Sequence, residues 1–228
     1  PGKPLLDIGG TTMIQRVVER ACASRAAEVL VATDDARIAA AVHDPRQPAR
    51  SIAVMTDAGL PSGTDRVAAV AAVRGWSDDT LVVNVQGDEP FLPPALIEQA
   101  AGLLERNPAA GIATLAVPLG RLEEFLDPNV VKVVTATDGA ALYFSRAPIP
   151  WNRDGAPAGL ASQAAFAGAL RHVGLYAYRV GVLRRITGLP PSDLEQCEKL
   201  EQLRALENGV RIVVGRCLEP PVPGVDTA

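Results

Sequence analysis

Leu81-Val82-Val83-Asn84-Val85-Gln86-Gly87-Asp88-Glu89-Pro90 decides the fold. An apolar run of strand length stops abruptly at Gly87, two acids and Pro90. Apolar residues at successive positions describe a strand covered on both faces, and ligands of open α/β sheets bind beyond the C-terminal ends of such strands. Asp88 therefore stands where a rigidly held carboxylate can serve a ligand or a cation. A carboxylate that only caps a loop is the plainer alternative.

Working outward, Ile14, Val17, Val18, Ala21 and Cys22 fall on one stripe of an amphipathic helix. Val29 to Thr33 is a short apolar strand closing on Asp34 and Asp35, followed by a helix from Ile38 to Val42. Next come a strand over Ile52 to Met55, a helix over Thr64 to Val73, the strand at Leu81, a helix over Ala95 to Leu104 and a strand over Ile112 to Ala116. This alternation through short loops predicts an α/β fold, a mainly parallel sheet with helices on both faces. There is no internal repeat and no low-complexity tract.

Beyond Pro118 the rhythm changes. Val130 to Ala136 and Ala140 to Ser145 are β-rich runs joined at Thr137-Asp138-Gly139, and Asp-Gly between such runs signals a hairpin. Pro148 to Gly159 is dense in turn formers and reads as a mobile loop or lid. Arg171 to Val180 is strand-like, with Tyr176 and Tyr178 in alternation and so on one face. One long helix is expected from Asp193 to Asn208, ended by Gly209, with Val210 to Val214 returning to the sheet.

A chain of 228 residues can bury a full core, and one domain is expected over residues 1–228, with the hairpin and its lobe at about 128–180. The formal charge of −4 exerts no global pull on nucleic acid or anionic lipid, so any bound anion must be met by local cations. Cys22, Cys197 and Cys217 lack metal-ligand spacing and read as reduced, buried thiols of a cytoplasmic protein. No apolar segment approaches the ~20 residues that span a bilayer, and no signal-like segment is present. Both ends read as abrupt, as if trimmed.

Four constellations can carry chemistry. Lys3, in the Gly2-Lys3-Pro4 turn, suits a phosphate as a compact point charge, or is a surface lysine. Ser62-Gly63-Thr64-Asp65-Arg66 opens a helix whose free N–H groups favour an anion or a polar base edge, with Arg66 one turn in; an ordinary capped helix fits as well. Asp88 and Asp226 each follow a predicted strand and can share a hard cation such as Mg²⁺. Arg146, Arg171, His172, Tyr176, Glu201 and Gln202 form a second group, in which arginines hold a carboxylate and the hydroxyl, amide and acid read sugar hydroxyls. Singly, each also fits a solvated or structural side chain, and Glu198, Glu201 and Arg204 fit an exposed helix face. No Ser-His-Asp, Cys-His or zinc arrangement emerges, which disfavours hydrolase chemistry of those types.

These motifs, together with Asp127 to Val134, Ala141 to Arg146, Arg171 to Tyr176, Leu200 to Arg204 and Gly224 to Thr227, stand in one order along nearly the whole chain. The ordered set resembles the 3-deoxy-manno-octulosonate (Kdo) cytidylyltransferase family, the CMP-Kdo synthetases. The resemblance implies a Rossmann-like sheet of the nucleotide-diphospho-sugar transferase type and an enzyme joining CTP and Kdo, with release of pyrophosphate, for lipopolysaccharide synthesis. It also implies Mg²⁺ and a homodimer built partly through the hairpin; that no nucleic-acid or membrane partner is expected follows from the charge and the apolar run lengths. By the same resemblance, Asp88, Lys3 and Asp226 form the catalytic set, Asp88 and Asp226 binding the metal. Lys3, Ser62, Gly63, Arg66 and Gln86 hold the nucleotide, and Gln86, Arg146, Arg171, His172, Tyr176, Glu201 and Gln202 hold the sugar acid. The family carries a strand and an Arg-containing loop ahead of the Gly-Lys-Pro turn and a helix after Gly224 to Thr227, both expected to be missing from residues 1–228. Asp65 stands where Glu is frequent. A cytidylyltransferase for another acidic sugar (sialic acid or an amino-Kdo) is one alternative, and a non-catalytic nucleotide-binding module is another.

Overall fold

β5 (Leu81–Asn84), the strand met first in the sequence, lies antiparallel against the long β9 (Leu170–Arg179), pairing Leu81 with Arg179 and Asn84 with Tyr176. The computed structural model describes residues 2–155, 159 and 168–218. On its other side β9 pairs antiparallel with β6 (Ile112–Pro118), which runs parallel to β10 (Ile212–Arg216). The start of β9 also meets β7 (Lys132–Thr135), which forms a hairpin with β8 (Ala141–Ser145) through Gly139 at φ 80°. β1 (Val31–Thr33) and β4 (Ala53–Met55) form a separate parallel pair, and β2 (His43–Asp44) with β3 (Gln47–Ser51) is a small hairpin that the sequence did not announce.

β5, β6 and β10 run the same way, which is the rhythm the sequence displays, and β9 alone among them is reversed. The hydrogen-bonded ladders are therefore mixed rather than mainly parallel. A parallel return needs a crossover that carries the chain back to its starting edge. Between β6 and β9 the chain instead makes a hairpin excursion and re-enters from the far end of β6.

Both faces of the sheet are apolar and covered. Along β6, Ile112 and Ala116 join one core cluster while Ala113, Leu115 and Val117 join another. The first face packs under α3 (Gly63–Val73), α6 (Val180–Thr187) and α8 (Gln202–Glu207), the second under α4 (Pro94–Glu105). Leu183 and Leu203 are almost wholly inaccessible, and such burial contributes about 1.5–3 kcal/mol per side chain to fixing α6 and α8. α1 (Met13–Cys22) buries Ile14, Val17, Val18 and Cys22 against Val31, Ile52 and Val85, the stripe read from its periodicity. Its start is fixed by a reciprocal cap, in which Thr12 N–H donates to Gln15 Oε1 at 3.0 Å and Gln15 N–H donates to Thr12 Oγ1 at 3.4 Å. Between β1 and β5 runs an apolar groove of about 850 Å³ lined by Val17, Val29, Val31, Val83 and Val85.

Four local expectations change. The helix expected over Asp193 to Asn208 is two, α7 (Asp193–Glu198) and α8, separated by Lys199 in the left-handed region at φ 54°. Arg204, expected on an exposed face, instead forms a buried ion pair with Glu195, with Arg204 Nε to Glu195 Oε2 at 2.7 Å. In one straight helix nine residues rise about 13 Å, so the pair requires the break. α6 begins where the late strand was expected to end, and α2 (Ala36–Ala41) and α5 (Leu122–Leu126) are short. Of the expected loop Pro148 to Gly159, residues 148–155 and 159 form no helix or strand, and 156–158 lie outside the described residues. All three cysteines are free, but only Cys22 is buried as expected; Cys217 is half-buried and Cys197 is exposed.

Candidate functional site

Asp88 follows β5 as expected, half-exposed, with Lys3 Nζ 3.1 Å from its Oδ2. The residues that precede β1 and those that follow β5 are thereby brought together at one edge of the fold. Ser62 caps α3: Asp65 N–H donates to Ser62 Oγ at 3.2 Å, and the hydroxyl donates to Asp65 Oδ2 at 2.5 Å. Gln86 Oε1 lies 3.9 Å from where a Cβ on Gly63 would sit, so Gln86 stands over the same helix N-terminus. Arg66, one turn in, donates to Asp34 Oδ2 at 2.8 Å, to Thr56 Oγ1 at 2.8 Å and to the Asp57 carbonyl at 3.0 Å. Its guanidinium is thus braced by the loops that follow β1 and β4. Gly63, Arg66 and Gln86 share one wall of the groove between β1 and β5.

Asp226 lies outside the described residues, as does the Gly224 to Thr227 motif. Among the described residues no group of three His, Cys, Asp or Glu side chains could hold a metal ion. Asp88 supplies one accessible carboxylate, which fits a Mg²⁺ ion that takes one or two protein carboxylates and completes its shell with phosphate oxygens and water.

The second group gathers on the face of the sheet covered by α8. His172, Tyr176 and Tyr178 form a continuous aromatic row, with ring centroids 5.1 Å apart for the first pair and 5.8 Å for the second, and Phe144 stands edge-on to His172 at 5.1 Å. Burial pulls the His172 pKa down to about 3, so its ring is neutral near neutrality. The Tyr176 hydroxyl is buried with no hydrogen-bond partner among the described residues, and burial, reinforced by the Glu201 carboxylate, keeps it protonated. Glu201 and Gln202 open α8. They line a small cavity of about 20 Å³ together with Ser62, Asp65, Tyr178 and Arg204.

Arg146 is placed beside this group but spends much of its guanidinium on the backbone, donating from Nε to the Glu198 carbonyl at 2.7 Å and from Nη1 to the Pro128 carbonyl at 2.9 Å. Glu198 in turn accepts from Ser145 Oγ at 2.6 Å and from the Arg146 N–H at 2.9 Å, so it ties the hairpin to α7 rather than facing solvent. Lys132, wholly buried, donates to the carbonyls of Asp127, Val130 and Arg146 at 2.9, 2.5 and 2.6 Å. Burial lowers its pKa, against the pull of the Asp127 and Glu198 charges. Arg171 is not brought into the group. Being next to His172 in a strand it points to the opposite face, where its charge offsets part of the rise that burial imposes on the Cys217 thiol.

Sequence reasoning missed Thr114, whose hydroxyl lies 2.9 Å from His172 Nε2, and the bracing of Arg66 by Asp34 and Thr56. For Thr114 a signal was available: it is the one hydroxyl in the otherwise apolar run Ile112 to Pro118.

A family model described as Cytidylyltransferase matches residues 1–212. The chain is 53% identical over 227 residues to a protein of Xanthomonas euvesicatoria pv. vesicatoria named 3-deoxy-manno-octulosonate cytidylyltransferase, covering 100% of this chain and 86% of that one. A protein of the same name from Methylococcus capsulatus is 52% identical over 228 residues, with 100% and 87% covered. Among solved structures, CMP:2-keto-3-deoxy-manno-octonic acid synthetase complexed with CTP matches at a TM-score of 0.86 and 43% identity, over 100% of this chain and 87% of the other. A putative glucose-1-phosphate thymidylyltransferase of Bacillus anthracis, at 15% identity and a TM-score of 0.58 over 97% and 78%, shares the fold alone.

Proposed function

We propose that this chain, which belongs to the cytidylyltransferase family, transfers the cytidylyl group of CTP to the sugar acid Kdo and releases pyrophosphate, making CMP-Kdo for lipopolysaccharide synthesis. The observation that carries this reading is the meeting of two groups of residues: Ser62, from the helix N-terminus suited to a nucleotide, lines one cavity with Glu201 and Gln202, from the group suited to a sugar.

Both substrates are anions. Two like unit charges 4 Å apart at an effective dielectric of about 20 repel by roughly 4 kcal/mol, so catalysis here is mainly charge neutralisation and positioning. Lys3, held beside Asp88, meets the nucleotide phosphates, and the Arg66 side chain, fixed by Asp34 and Thr56, lines the nucleotide side with Gly63 and Gln86. Arg146, His172, Tyr176, Glu201 and Gln202 hold the sugar acid, while Arg171 acts only from the opposite face. Asp88 and Asp226 would hold Mg²⁺, which supplies positive charge where the leaving pyrophosphate becomes more negative. Residues 1–228 act as one catalytic domain in the cytoplasm. Pairing of two copies through the hairpin is supported by Leu142, a large apolar side chain of β8 that is 62% exposed.

The test is pyrophosphate release from CTP and Mg²⁺ with Kdo, with other acidic sugars and with no sugar. Release only with Kdo is expected, and Asp88→Asn is expected to lower it by about 100-fold or more. The same variant should shift the melting temperature little, since a half-exposed ion pair contributes about 0–1 kcal/mol. Equal release with every sugar acid, or an Asp88→Asn variant that turns over normally at saturating Mg²⁺, would overturn the reading.

A further inference from the structure

Where β9 crosses β6 the ladder slips. Thr114 faces Tyr176, but the next residue, Leu115, faces Val173, so β9 spends extra residues against one step of its partner. The Thr114 side chain, wholly buried, sits at that slip, its Oγ1 3.2 Å from the Val173 carbonyl oxygen, 2.7 Å from that of Leu175 and 2.9 Å from His172 Nε2.

A hydroxyl carries one proton, and a carbonyl oxygen can only accept. With two carbonyl oxygens in reach, the nearer at 2.7 Å, the Thr114 proton goes to the backbone and its oxygen is left to accept from the ring. His172 is then the Nε2–H tautomer, with Nδ1 as its acceptor. Nδ1 has no partner among the described residues, and the His172 side chain is only partly buried, which leaves that edge of the ring for a ligand.

We propose that Thr114 is a positioning residue: it sets the tautomer of His172, so that the ring offers Nδ1 as an acceptor to a hydroxyl of the sugar acid and not as a donor to its carboxylate. The role toward the sugar rests on the proposed function; the tautomer does not.

The chain has only two histidines, so the ring nitrogens of His172 can be assigned by comparison with His172→Gln in long-range ¹H–¹⁵N correlation spectra of the labelled protein without substrate. The wild type is expected to show the Nε2–H pattern between pH 6 and 8. Thr114→Val should mix or invert the tautomers and raise the KM for the sugar acid about tenfold, the loss of one hydrogen bond, with the KM for CTP within about twofold. Thr114→Ser should restore both. An Nδ1–H pattern in the wild type overturns the proposal even if Thr114→Val does not fold, and so does a wild-type pattern retained in Thr114→Val. A tautomer that switches as expected in a protein that turns over no sugar acid supports the positioning and overturns the function instead.

Discussion

His172 is held neutral at a cost that shows up in stability. Its pKa in the fold is about 3, pulled down by burial from an ordinary 6.5, so between these values the unfolded chain binds a proton that the native state refuses. Stability is therefore fully present above about pH 6.5 and is lost as the pH falls toward 3. His172→Gln keeps a donor for Thr114 and removes the titration. Urea midpoints at pH 7 and pH 5 should fall further for the wild type than for this variant, and an equal fall in both would contradict the account. At this scale the placement of several candidate residues was legible: the abrupt ends of apolar runs put Asp88 just beyond β5, and Ser62-Gly63 marked the N-terminus of α3. The face assignment of Arg171 was misjudged because grouping residues near one another in sequence ignores that neighbours in a strand diverge. Thr114 went unread because its contact with His172 depends on a slip in register with β9, which only the paired strands reveal.

Periodicity located the elements well where a stripe or alternation was long, as in α1, α3, α4 and the β7–β8 hairpin. It failed over Asp193 to Asn208, where helix formers run on without Gly or Pro and nothing local marks an end. The break is made by tertiary partners. Arg146 takes the Glu198 carbonyl at the end of α7, and Arg204 folds back onto Glu195. Replacing Arg204 by Ala leaves a buried Glu195 without its charge partner, a loss of roughly 3–5 kcal/mol. Chemical denaturation should read that loss; a change under 1 kcal/mol would show that the pair does not hold the two helices together. Because Glu201 and Gln202 sit directly after the break, the same contact that bends the chain also aims them at the cavity beside Ser62.

Over the whole molecule, the strand and helix order disclosed an α/β sheet covered on both faces, and the ordered motifs disclosed a cytidylyltransferase. The reversed β9 was not legible, since a strand's own residues do not encode its direction relative to neighbours that are remote in sequence. That reversal has consequences for function. It lays His172, Tyr176 and Tyr178 in one row under α8, with Tyr178 lining the small cavity between Ser62 at the start of α3 and Glu201 and Gln202 of α8, where the proposed function brings nucleotide and sugar acid together. Phosphorus NMR of the protein with CTP, Kdo and Mg²⁺ tests this most directly. The triphosphate signals should give way to one sugar-nucleotide phosphodiester and pyrophosphate in equal amounts, only when Kdo is present. Unchanged CTP, or CDP with orthophosphate in place of the phosphodiester, would contradict the account.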